Sequence, residues 1–119
     1  MAINDNGKNA ALDALAALIT HIGLHSADPG ASGANEIAGG SPAYARQAVA
    51  WGSAAAGVVA MTGTETFDVQ GGDTVSFVGL WSASTAGTCY GGADVTDEVF
   101  GAQGTYEVLT LTITASDPA

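Results

Sequence analysis

The side chains of this 119-residue chain that could do chemistry are few and scattered. His21 and His25 stand four apart and would point the same way on a helix or on a strand. Two imidazoles do not complete a zinc site. A third ligand would have to come from Asp28 or a distant carboxylate, and no His-Glu-x-x-His occurs. Surface or hydrogen-bonded histidines are the simpler reading. Asp94, Asp97 and Glu98 crowd three carboxylates into five residues of an expected loop, a density that could hold a hard cation such as calcium. The EF-hand pattern is missing, and a solvated turn accounts for the same residues. No metal and no cofactor is expected.

Nucleophilic and phosphate chemistry find no better footing. There is no Gly-x-Ser-x-Gly, and the glycines from Gly33 to Gly40 lack the Lys and Ser/Thr of a phosphate-binding loop. Any two of the twelve carboxylates could meet across a cleft, as in glycoside hydrolysis, but no spacing singles out a pair. With Lys8, Arg46 and two histidines as the whole basic stock, acids, bases and oxyanion donors are scarce, so the chain is not expected to be an enzyme. Cys89 is alone and reads as a small buried hydrophobe.

Tyr44, Trp51, Trp81 and Tyr90 could form an aromatic platform for a sugar or a partner, although such residues more often fill a core. Arg46 follows a long loop at 28–42, reading DPGASGANEIAGGSP, that is too poor in apolar residues to bury itself. A bidentate pair with a loop carboxylate such as Asp28 or Glu36 would pin that loop to the body. A contact with a neighbouring chain is the sharper alternative. Loops of this length are commonly functional, which makes Asp28, Pro29, Gly30, Asn35, Glu36, Tyr44 and Arg46 the candidate interface.

The elements that must position these residues can be read from periodicity. Leu12, Leu15, Ile19 and Ile22 make one apolar helical stripe, preceded by capping side chains at 4–6, so an amphipathic helix is expected at about 7–20, ended by Gly23. A superficial likeness to a signal peptide at 8–27 is broken by Asp13. Ile22 and Leu24 alternate with Gly23 and His25 as the first sign of a strand. Strand-like runs follow at 47–53, 57–63, 65–69, 74–82, 87–91 and 105–115. Both faces of 74–82 are largely apolar, which marks a central strand. In 105–115, Leu109, Leu111 and Ile113 alternate with threonines, as in a half-buried strand. The segment 70–73, Gln-Gly-Gly-Asp, is expected as a hairpin turn. The expected fold is mainly β, an antiparallel sandwich or barrel-like domain with one N-terminal helix. It is read as a single domain, 1–119, with a β-rich body at 43–115.

Composition narrows the partners. Charged residues make up 12% of the chain, about half the usual share, so much of the surface is Gly, Ala, Ser and Thr. Such a surface favours faces covered by neighbours, and a homo-oligomer is expected. The net charge of −10 repels phosphate backbones and anionic lipid, which argues against nucleic acid and membrane as partners. No stretch is long and apolar enough for a membrane-spanning helix.

The segments GKNAALDAL, GLHSADPGASGANEIAGGSPAYARQAVAW, FDVQGGDTVSFVGLWSASTAGTCYGGADV and GAQGTYEVLTLTIT cover most of the chain. Together they resemble small virion proteins of tailed bacteriophages, particularly those infecting actinobacteria, described as tail fibre, minor tail or head decoration proteins. The resemblance implies a virion component assembled in the bacterial cytoplasm, working through contacts with other virion proteins, and it implies no catalytic residue. Acidic charge and short length lean toward a capsid decoration or minor capsid protein on the outer head. A tail fibre or minor tail component binding a host receptor or glycan is the alternative.

Overall fold

Asn4 opens the helix by accepting a hydrogen bond from the Gly7 N–H, at 3.1 Å, and Asp5 adds a carboxylate to the first turn. In the computed structural model, which describes residues 2–116, helix α1 accordingly runs Asp5–Leu18, two residues earlier at each end than the stripe suggests. Its end is set by the sheet rather than by Gly23. Thr20 donates its N–H to Trp81 and accepts from Val49, so the backbone from 20 onward is claimed by strands and Ile22 joins β1, His21–His25. Leu12 and Ala16 bury against Val59, and Asp13 and Asn9 tie the helix down by accepting from the N–H groups of Ala54 and Gly57.

The remaining strands are β2 Gln47–Ala48, β3 Ala50–Trp51, β4 Val58–Thr62, β5 Glu65–Val69, β6 Thr74–Trp81, β7 Cys89–Val99, β8 Gly104–Val108 and β9 Thr112–Thr114. All pairings are antiparallel, in three sheets ordered β2-β1-β6-β7, β3-β4-β9 and β5-β8. The fold is mainly β with one N-terminal helix, as expected, and the sheets do not close into a barrel. β6 is central, with β1 on one side and β7 on the other.

Four local expectations change. The run 47–53 divides at Val49, which lets β2 pair with β1 and β3 with β4. The segment 70–73 turns, with Gly72 at φ +96°, but it is no hairpin: β5 pairs with β8 while β6 pairs with β1 and β7, so this turn carries the chain between sheets. The run 87–91 lengthens into the eleven residues of β7, so Asp94, Asp97 and Glu98 lie on a strand and not in a loop. Finally, 105–115 breaks into β8 and β9, which serve different sheets, and Leu109 at the break is 65% exposed.

The core lies between the sheets. Ile22, Leu24, Val75, Val78 and Leu80 supply the four-stranded side, and Met61, Phe67, Val69, Val108 and Leu111 face them from the other strands and the 109–111 link. Cys89 is half-buried rather than buried, its Sγ 3.5 Å from the Gly91 carbonyl.

Candidate functional site

The opposite face of the four-stranded sheet holds the site. Gly23 of β1, Gly79 of β6 and Gly92 of β7 stand directly across from one another, so a bare strip crosses three strands. A Cβ on Gly79 would come within 2.3 Å of His25 Nε2. One on Gly23 would come within 2.6 Å of the Tyr44 hydroxyl, and one on Gly92 within 2.6 Å of Pro29 Cγ. The strip is a bed into which the 26–46 segment is pressed, which is the use of glycine inside a strand.

At its centre, Arg46 donates through Nε to Glu36 Oε2 and through Nη2 to Glu36 Oε1, both at 2.9 Å, a bidentate fork. Its Nη1 donates to the carbonyls of Ala83, at 2.9 Å, and Ala86, at 2.8 Å, and the guanidinium carbon sits 3.5 Å above the Trp81 ring. A lysine there could supply neither the fork nor the stacked plane. The Tyr44 hydroxyl donates to Glu36 Oε2 at 2.7 Å and accepts from the Leu24 N–H at 2.9 Å. Burial opposes charge on Glu36, but the Arg46 and Tyr44 hydrogen bonds outweigh it and hold this carboxyl below its usual range. Burial and the same carboxylate push the Tyr44 phenol well above its ordinary value.

His25 and Trp81 complete the array beneath. The rings lie near parallel, 8° apart, and Trp81 Nε1–H donates to His25 Nε2 at 3.2 Å. His25 Nδ1 lies 2.8 Å from the Ala34 carbonyl. A carbonyl can only accept and an indole N–H can only donate, so His25 is the neutral tautomer carrying its proton on Nδ1. Desolvation by burial is the main reason its pKa falls below the ordinary histidine value.

Of the sequence candidates, Glu36, Tyr44 and Arg46 come together in this latch, and of the two carboxylates offered as partners for the lone arginine, Glu36 takes the place and Asp28 does not. Asp28 and Asn35 do not join it. Asp28 Oδ1 accepts from the Gly30 N–H at 2.8 Å, and Asn35 Nδ2 donates to the Asp28 carbonyl at 3.1 Å, which shapes an exposed tip. Gly30 and Asn35 are left-handed there, at φ +59° and +66°, while Pro29 is buried on Gly92. Gln103 secures the far end of the loop by accepting from the Ser41 N–H and donating to the Pro42 carbonyl. Spacing alone did not bring His25 and Trp81 into this group. The signal that could have done so is the pair of glycines inside two otherwise apolar strands.

The four aromatics form no shared platform. Trp51 lies under the helix with its N–H on the Ile19 carbonyl, Tyr44 stacks on Phe67, Trp81 is covered by Arg46, and Tyr90 stands exposed on β7. His21 and His25 sit four strand residues apart, about 13 Å, too far to share an ion. Among the described residues, no three His, Cys, Asp or Glu side chains gather as a metal cluster.

A sheet body whose strongest polar groups are spent on holding its own loop defines a β-rich structural domain. The family model described as Podophage GP4 fiber I protein gp80 matches residues 8–114, and the chain belongs to that family of phage fibre proteins. It is therefore a bacteriophage virion structural protein, as the resemblance implied. The fibre description goes with the tail-fibre alternative and lends nothing to capsid decoration, toward which charge and length had leaned. No curated protein and no solved structure matches the chain.

Proposed function

We propose that this protein is a fibre component of a tailed phage, acting without turnover through contacts with other virion proteins and with copies of itself, and assembled in the host cytoplasm. The family match carries the reading. The contact surface we assign includes the 28–42 loop. Asp28, Gly30 and Asn35 stand at its exposed tip, Pro29 anchors it, and Glu36, Tyr44 and Arg46 hold it in shape before any partner arrives. Such preorganisation lowers the ordering cost of association.

Deleting the gene should leave intact heads and abolish adsorption, and stained gels of purified particles should show few copies of the chain. Hundreds of copies, or heads that fall apart, would return the protein to the capsid. Replacing 28–42 by a short Gly-Ser turn should abolish incorporation, and unchanged incorporation would remove the loop from the interface.

A further inference from the structure

The four-stranded sheet ends on one side in β2, two residues long, and on the other in β7, eleven residues long. A two-residue edge offers little to pair with, whereas a long one presents a row of unpaired N–H and C=O groups. β7 bonds to β6 along one side, and among the described residues no strand pairs with its other side. The register with β6 shifts twice, between Val75 and Phe77 and between Leu80 and Trp81, with the extra residues on β7, so that free edge is regular over 91–94 and bulged on either side.

Exposed edges are blunted by lysine or proline, by other charges and by bulges. β7 has no lysine or proline, and its bulges leave 91–94 as the regular stretch open to pairing. It exposes Asp94, Thr96, Asp97 and Glu98 in its second half, with Tyr90 and Val99 exposed toward its two ends. Two copies paired along this strand would bring three carboxylates from each and no cation to one ladder, and like charges facing each other across strands are destabilising. The chain cannot supply the missing cations from elsewhere, because Lys8 is on the helix and Arg46 is buried in the latch.

We propose that the outer edge of β7 accepts, as an added strand, an extended lysine- or arginine-bearing segment of another virion protein. Backbone hydrogen bonds along the edge supply affinity, and the carboxylates select a basic strand over a second copy of this chain. The inference rests on the reading of the protein as one that works by contact, but it concerns a different surface from the 28–42 loop.

The test uses the full chain and two synthetic ten-residue peptides of alternating Val/Thr and Lys, or Val/Thr and Glu. Amide hydrogen exchange followed by NMR should slow at the outward-facing β7 positions with the lysine peptide and stay unchanged with the glutamate peptide. The charge-neutralised D94N/D97N/E98Q chain keeps the edge and should bind the lysine peptide about tenfold more weakly. Protection elsewhere, equal protection by both peptides, or undiminished binding by the neutralised chain would overturn the proposal, as would wild-type chains pairing with each other through β7. None of these results depends on whether loop replacement blocks particle incorporation, so the two readings fail separately.

Discussion

His25 is held between two partners that dictate its protonation. A second proton would have to sit on Nε2, where it would meet the Trp81 N–H head-on and add charge beside Arg46. Of the charged groups facing the ring, Glu36 favours the proton and Arg46 opposes it, but burial dominates. Because the folded pKa lies below 6.5, His25 contributes its full stability above that value and loses it as the pH falls toward the folded one. Glu36, whose folded pKa is below 4.5, keeps its contribution until more acid conditions and then loses it in the same direction. Acidification therefore loosens the latch in two stages, histidine first. Urea denaturation of the wild type should show stability falling between pH 7 and 5, with a slope of at most about 1.4 kcal/mol per pH unit for one proton. His25→Gln should be less stable at pH 7 and nearly flat across that window; a slope equal to that of the wild type would assign the titration elsewhere.

Among the elements, the three-glycine strip makes the latch possible, and it gives glycine substitutions sharply different costs. Gly79→Ala would drive a methyl into the His25 ring and close to the Trp81 nitrogen. It should lower stability by about 2–4 kcal/mol, as overpacking combined with a broken buried hydrogen-bond array does. Gly52, whose nearest neighbour to a new Cβ is 3.6 Å away, should accept alanine within about 0.5 kcal/mol. Equal denaturation midpoints for the two variants would mean that the strip is not filled as described. The same strip explains what could be read in the sequence. β5 and β6 carry clear apolar runs between turn residues and were legible, as was the helix, while the lone arginine pointed at a loop carboxylate without choosing between Asp28 and Glu36. β7 was not legible, because Gly91, Gly92, Asp94 and Asp97 have the composition of a turn. Pairing with β6 overrides that local preference, and Gly92 is needed to seat Pro29. The break at Leu109 was equally hidden, since alternation continues through it while the strand changes sheets.

At the scale of the whole molecule, three sequence-adjacent strand pairs form early, but β4 takes its second partner, and β5 its partner among the described residues, from 104–114. Val108 and Leu111 from that segment close the core against Met61 and Phe67. A chain ending at residue 103 should therefore show no cooperative urea transition, and one of unchanged slope would refute that dependence. The arrangement also bears on synthesis. At bacterial elongation rates, the closing strands leave the ribosome about 2–11 s after the strands they must meet. For that interval β5 and the outer side of β4 have nothing to zip against, and pairing across such separations is itself slow.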